Sequence, residues 1–272
     1  MSSEAGPEVL LVGCGKMGQA LLAGWLDRAI IGHATIVEPA GVPSLAGEKR
    51  VALLTDPAGL PDGYRAEIVL LAVKPQMMPE AAPPYLPVVE RGAVVLSIAA
   101  GKTFRSLASY FGESAAIVRA MPNTPAAIGR GISVAIANAH VSPARRALCD
   151  RLLAAVGSVE WVTDESLLDA VTALSGGGPA YVFLLIEVLA AAGVKAGLPA
   201  ELALRLARET VSGAGELARV SGESVEQLRR NVTSPKGTTL AALEVLTAPQ
   251  GLQPLFDAAL AAATARAREL AQ

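Results

Sequence analysis

A short apolar run, Val9–Val12, passes directly into Gly13-Cys14-Gly15-Lys16-Met17-Gly18 and then into a helical pattern reaching Ala29. G-x-G-x-x-G between a strand and a helix is the opening of a βαβ unit built to hold a dinucleotide. Each glycine has its own physical reason. Gly13 permits the tight turn, Gly15 lets the backbone approach a pyrophosphate, and Gly18 allows close packing of helix on sheet. The helix start adds free N–H groups and the positive end of a dipole, both suited to phosphate oxygens. Gly13, Gly15, Lys16, Met17 and Gly18 are therefore expected to line a cofactor site.

Glu38 follows Gly18 by 20 residues, at the end of the next apolar run. A carboxylate there accepts hydrogen bonds from ribose hydroxyls and repels a 2′-phosphate. The expected cofactor is NADH or NADPH, and Glu38 leans toward NADH. Lys49 and Arg50 downstream are the cations that could oppose that preference by reaching a phosphate.

Beyond this unit the chain alternates. Strand candidates are Val9–Val12, Thr35–Val37, Ile68–Val73, Val94–Ile98, Ala116–Arg119, Ile132–Ala137 and Val159–Val162, with helical candidates such as Met17–Ala29, Phe104–Phe111 and Pro143–Ala155 between them. Several of the strands are nearly continuous apolar runs, as parallel strands covered on both faces require. From about Thr163 no strand candidate remains. Helices rich in Ala and Leu follow: Glu165–Leu174, Ala180–Ala196, Ala200–Arg219, Val225–Asn231, Thr239–Leu246 and Gln253–Ala271. The fold class is thus α/β, an N-terminal Rossmann-type doubly wound sheet followed by an all-α C-terminal domain. The expected division is 1–162 for the dinucleotide domain and 163–272 for the helical one. A helical unit of that size is small for a core of its own, so a homodimer built on these helices is expected.

Composition excludes several classes. A net charge of −2 offers no basic face for nucleic acid. Cys14 and Cys149 stand in no metal or redox spacing and read as small buried hydrophobes. Met1–Leu10 lacks a charged start before an apolar stretch, so no secretory signal is read there. The apolar stretch Ala180–Leu198 is broken by Glu187 and Lys195, which favours a buried or interface helix over a membrane span. The expected location is cytoplasmic, without metal. Gly101-Lys102-Thr103 resembles the tail of a P-loop, but the glycine required five residues earlier is Leu96. Asn231-Val232-Thr233 is read as a coincidental sequon.

Acid–base residues are scarce. The two histidines, His33 and His140, fall in expected loops, and no cluster suits a metal or an activated serine. A reaction on an already activated imine fits that scarcity, because its carbon accepts a hydride readily. Two glycine-rich segments interrupt the helical half: Ser175-Gly176-Gly177-Gly178-Pro179-Ala180-Tyr181 and Val232-Thr233-Ser234-Pro235-Lys236-Gly237-Thr238-Thr239. Hydroxyls and free N–H groups at a helix start make a cradle for a carboxylate, although a capped loop–helix junction would look the same.

Together with Leu71-Ala72-Val73-Lys74-Pro75-Gln76, Ser97–Gly101 and Arg119-Ala120-Met121-Pro122-Asn123-Thr124-Pro125, these blocks resemble the pyrroline-5-carboxylate reductase family along nearly the whole chain. The resemblance implies NAD(P)H-dependent reduction of 1-pyrroline-5-carboxylate to L-proline. It implies a helical domain interlocked with a second subunit, an active site at the dimer interface, and dimers that can gather into rings such as decamers. It implies that Val73, Lys74 and Pro75 border the cofactor and that Asn123, Thr124 and Pro125 lie by the nicotinamide. Ser234, Gly237, Thr238 and Thr239 would hold the substrate carboxylate and ring, with Thr239 matching the family threonine near the imine nitrogen. Lys236 in the same turn is a further substrate-binding candidate, and Thr239 is expected to position that nitrogen and relay a proton.

Two departures stand out. Gly177 replaces the inner serine of the family's Ser-Gly-Ser-Gly-Pro, and Lys236 replaces the first glycine of Ser-Pro-Gly-Gly-Thr. If position 236 needs a positive φ, lysine is strained there. If not, its ammonium lies near the carboxylate and strengthens anion binding. Both departures leave room for a related cyclic imine acid as substrate, or for a non-catalytic nucleotide-binding relative. A 3-hydroxy-acid dehydrogenase would need a lysine within Glu165–Ile186, and that stretch has none.

Overall fold

The computed structural model describes residues 6–42, 45 and 47–270. Ala271, where the last helical candidate ends, and Met1–Ala5, which carry half of the amino-terminal reading, lie outside the described residues. The chain divides into two compact units, Met1–Gly176 with Ala263–Gln272, and Gly177–Ala262.

The first unit is built on one sheet. Its strands are β1 (Glu8–Val12), β2 (His33–Val37), β3 (Val51–Leu54), β4 (Ile68–Leu71), β5 (Val94–Ser97), β6 (Ile117–Met121), β7 (Gly131–Ala137) and β8 (Gly157–Trp161). They lie in the order β3-β2-β1-β4-β5-β6-β7-β8, parallel throughout except for the β6–β7 pair. The order reverses at β1, which is where an open α/β sheet leaves its ligand crevice. Helices α1 (Lys16–Asp27), α2 (Met78–Ala81), α3 (Leu86–Glu90), α4 (Phe104–Phe111), α5 (Pro143–Ala154) and α6 (Leu167–Val171) complete the unit.

Strand periodicity explains the continuous apolar runs. Val9 and Leu11 join Leu21, Trp25, Leu152 and Leu153 on one face, while Leu10 and Val12 join Tyr85, Leu107 and Phe111 on the other. Trp25 is fully buried, and its indole N–H donates to the Leu152 carbonyl at 2.8 Å, tying α1 to α5.

Three local expectations change. The β3 strand has no counterpart among the sequence candidates, because a four-residue half-exposed edge strand shows neither a long apolar run nor clean alternation. His33 opens β2 and is not in a loop; its Nδ1 lies 3.1 Å from the Glu8 carboxylate. The run from Ile68 leaves the sheet at Leu71, so Ala72 and Val73 fold over the glycine turn.

The second unit is helical among its described residues. Helices α7 (Gly178–Lys195) and α8 (Ala200–Val220) pack so closely that a Cβ on Gly193 would stand 3.2 Å from the Ala203 methyl. Helices α9 (Val225–Asn231) and α10 (Thr238–Leu246) follow, and α11 (Leu252–Leu270) begins in this unit. Phe183, Leu184 and Val188 on α7 and Leu255 and Phe256 on α11 are exposed. The helical stretch Leu167–Lys195 holds an 18-residue run with a mean hydropathy of 1.7, long and apolar enough to cross a membrane by length and composition.

Candidate functional site

The glycine turn departs from β1 as its spacing predicts. Gly13 has φ +83° and donates its N–H to the Val37 carbonyl at 2.9 Å. A Cβ there would lie 2.8 Å from Val73 Cγ1 and 3.0 Å from the Ala72 carbonyl oxygen. Gly18 is confined in the same way, since its Cβ would meet the Gly13 carbonyl oxygen at 2.8 Å. Gly15 differs. It precedes α1 with φ −69° and ψ −169°, has no side-chain cap, and nothing stands within 4 Å of where its Cβ would be. Open space at an uncapped helix start is the cradle that a pyrophosphate needs.

Glu38 sits beside this turn. Its Oε2 accepts the Cys14 N–H at 2.8 Å, and its Oε1 accepts the Ala40 N–H at 3.2 Å. Each carboxylate oxygen keeps a further lone pair for a ribose hydroxyl. Gln19 braces the turn from the helix, its Nε2 donating to the Cys14 carbonyl at 2.9 Å. The Cys14 thiol is pushed up to about 11, first by burial and then by Glu38, which keeps it protonated near neutral pH.

A cleft of about 370 Å³ runs from this turn between Gly13, Gly15, Glu38, Val73 and Lys74 toward Tyr85. The structure thus brings together five of the proposed cofactor residues. Pro75 follows Lys74 into a 3₁₀ turn, Pro75–Met77. Lys16, Met17 and Gly18 lie outside the cleft walls, as do Asn123, Thr124 and Pro125. The last three form the start of a 3₁₀ turn, Thr124–Ile128, that packs against α1. Asn123 bridges two elements: its Oδ1 accepts the Ile132 N–H at 2.9 Å and its Nδ2 donates to the Ser175 carbonyl at 3.2 Å.

Sequence reasoning did not single out Gln19, Met77 or Tyr85 for this site. Their signal is only positional, a polar residue one turn into the helix and apolar residues in a proline-rich stretch. Arg50, considered as a phosphate partner, is engaged elsewhere. It donates from Nη1 to the Leu26 carbonyl at 3.1 Å and from Nε to Glu48 at 3.3 Å.

In the second unit, Ser234-Pro235-Lys236-Gly237 forms a turn closed by the Gly237 N–H donating to the Ser234 carbonyl at 3.1 Å. Lys236 has φ +60°. Proline at the second position and a positive φ at the third define a type II turn, whose third position favours glycine. The question left open by sequence is answered: lysine stands here in the left-handed region. Gly237 then precedes α10 without a side-chain cap, and a Cβ on it would collide with the Ser234 hydroxyl. Thr238 and Thr239 open the helix, where backbone N–H groups have no intrahelical acceptor. Ser234, Lys236, Thr238 and Thr239 are exposed. Gly177 is an ordinary right-handed residue, φ −81° and ψ −19°, a conformation that serine adopts without strain. Among the described residues no group of three or more His, Cys, Asp or Glu could hold a metal ion.

Comparison with known proteins agrees with both halves. Residues 165–270 match the family described as pyrroline-5-carboxylate reductase dimerisation, and residues 8–101 match NADP oxidoreductase, coenzyme F420-dependent. The chain is 38% identical over 270 residues to a pyrroline-5-carboxylate reductase of Pseudomonas aeruginosa, covering 98% of this chain and 97% of that one. The pyrroline-5-carboxylate reductase structure from Coxiella burnetii superposes with a TM-score of 0.88 at 33% identity, covering 98% and 99% of the two chains. The Plasmodium falciparum pyrroline carboxylate reductase with NADP bound gives 0.83 at 28% identity, covering 98% and 99%.

Proposed function

This chain belongs to the pyrroline-5-carboxylate reductase family, and from that premise we propose how its residues reduce 1-pyrroline-5-carboxylate to L-proline. One observation carries the reading: the likeness to a curated reductase runs over 98% of the chain, through both the glycine turn and the Ser234–Thr239 segment. Residues 1–162 serve as the dinucleotide domain and 163–272 as the substrate and dimerisation domain. Self-association follows from the matched dimerisation family, and it gives the exposed apolar faces of α7 and α11 a partner. A cytoplasmic location and closure of dimers into a ring extend the proposal.

The reduced nicotinamide supplies the hydride. The chain supplies binding and orientation. Gly13, Gly15, Lys16, Met17 and Gly18 hold the pyrophosphate at the start of α1. Val73, Lys74 and Pro75 border the cofactor, and Asn123, Thr124 and Pro125 face the nicotinamide side. Ser234, Lys236, Gly237, Thr238 and Thr239 hold the substrate carboxylate and ring. Thr239 places a hydroxyl at the imine nitrogen and relays its proton. Losing one neutral hydrogen bond of about 1 kcal/mol corresponds to roughly fivefold, so Thr239→Ala is expected to turn over about fivefold more slowly. Unchanged turnover and substrate constant would remove Thr239 from this role.

The cofactor is NADH in preference to NADPH. Glu38 holds a negative charge beside the glycine turn, and Arg50 is committed to Leu26 and Glu48. Following cofactor absorbance with pyrroline-5-carboxylate and each nucleotide tests both statements at once. Oxidation of neither nucleotide would overturn the enzyme reading. Glu38→Gln keeps an acceptor for the Cys14 N–H and removes the charge. It is expected to move the NADPH-to-NADH rate ratio upward about fivefold, equivalent to roughly 1 kcal/mol. A ratio that does not move assigns the selectivity elsewhere.

A further inference from the structure

The segment that joins the sheet to α7 is pinned at two points, one to Asn123 of the proposed cofactor site and one to residues outside it. At its start Glu165 Oε1 lies 2.6 Å from Arg119 Nη1 on β6 and accepts the Phe104 N–H of α4, also at 2.6 Å. The Arg119 side chain is only 7% exposed, while Glu165 is 33% exposed. One carboxylate oxygen thus holds a buried guanidinium and fills an orphan donor at the first turn of α4. At its end, the Ser175 carbonyl accepts Asn123 Nδ2. Its ordinary helical partner would be the N–H of residue 179, which is proline and has none.

Between the two pins the chain does not run as a plain helix. Helix α6 stops at Val171 and continues as a π-helical turn, Thr172–Gly176. The expected helix Glu165–Leu174 is corrected on this point. A π turn misaligns the backbone ladder and is kept where a local geometry is needed. Gly176 lies so close to Met121 that a Cβ would meet the Met121 terminal methyl. Met121 ends β6, two residues before Asn123 and two after Arg119. Both pins therefore act on one strand end, the one that carries the Asn123 loop.

We propose that Arg119 and Glu165 are positioning residues for the reduction: their half-buried ion pair holds the π turn in register with the Asn123 loop. The proposal rests on the reading that this loop borders the nicotinamide. An ion pair with one buried partner is weak as a source of stability and is better understood as a device that selects one arrangement. Arg119 and Glu165 touch neither substrate nor cofactor; they act through Asn123 and Ser175.

The test uses the full chain with Glu165→Gln, which keeps an acceptor but removes the charge, and Glu165→Asp, which keeps the charge. Turnover, substrate constant and NADH dissociation constant are measured separately on folded dimer, with the isotope effect from NADH deuterated at the transferred position. Glu165→Gln is expected to lose about tenfold in turnover, with NADH dissociation within about twofold of the parent and a larger isotope effect. Glu165→Asp is expected to recover most of the loss. Parent-like turnover in Glu165→Gln overturns the clamp. So does a loss that disappears once activity is expressed per folded dimer, because a merely structural role predicts that result. Where Glu165→Gln does not fold, Arg119→Lys decides, because it keeps the charge and loses the planar fork: lower turnover with a larger isotope effect per folded dimer supports the clamp, and parent-like turnover and isotope effect overturn it. An inactive parent chain overturns the enzyme reading itself, and the clamp with it.

Discussion

Gly13→Ala is expected to bind NADH at least about a hundredfold more weakly and to unfold at a lower temperature than the parent chain. The left-handed region costs an L side chain about 1–2 kcal/mol, and Gly13 lies at φ +83°. Space adds a second penalty. The new methyl would stand 2.8 Å from Val73 Cγ1 and 3.0 Å from the Ala72 carbonyl oxygen. Val73 can yield, but Ala72 cannot easily do so, because its N–H is bonded to the Val12 carbonyl at 2.8 Å. The turn must shift, and with it the Cys14 N–H that holds Glu38. Gly15→Ala is the informative control. Its φ is −69° and its surroundings are open, so the melting temperature should match the parent. The methyl would nevertheless occupy the space a pyrophosphate approaches, and NADH binding should weaken by about tenfold or more. Fluorescence titration of NADH against both variants reads the result. A Gly15→Ala protein that binds NADH as tightly as the parent would place the phosphates away from this turn.

Gly13 and Gly18 also mark how far the sequence reaches. Their spacing after an apolar run predicts the turn because only glycine fits a positive φ at Gly13 and a close contact at Gly18. Those demands are local and leave a local trace. The alternation of apolar runs and helical patterns likewise announces a doubly wound sheet, since each run must be covered on both faces. The edge strand β3 left no such trace, because half-exposed residues obey weaker rules. Nor did the clamp at Glu165. An ion pair between residues 46 apart has no periodicity, and its carboxylate reads in sequence as one more surface acid. The substrate segment stands between these cases. Ser234–Thr239 announces a turn leading into a helix, yet the proposal that it cradles a carboxylate, over a plain capped junction, leans on family resemblance. The charge on Glu38 was legible, whereas the engagement of Arg50 with Leu26 was not.

Lys236 is where structure and sequence meet least comfortably, and its replacement by glycine is expected to push stability and binding in opposite directions. The residue occupies the third position of a type II turn at φ +60°. Relieving that conformation gains about 1–2 kcal/mol, while the freedom glycine gains in the unfolded chain returns about 0.5–1 kcal/mol of it. The net expectation for Lys236→Gly is a chain more stable by roughly 0.5–1 kcal/mol, a rise of about 2 °C in melting temperature. Strain retained in an exposed turn beside a helix start calls for a compensating use. The lysine sits two residues before α10, whose start is uncapped and where Ser234, Thr238 and Thr239 are proposed to hold the substrate carboxylate. An ammonium there adds a charge-assisted contact of about 2 kcal/mol, equivalent to roughly thirtyfold. Lys236→Gly should therefore raise the substrate constant by about thirtyfold at low salt. The gap should narrow as salt screens the exposed charge, and the NADH constant should not move. A variant that is stabilised with an unchanged substrate constant would show that the lysine is tolerated strain. A variant that is neither stabilised nor weakened would show that residue 236 does not hold its left-handed conformation in solution.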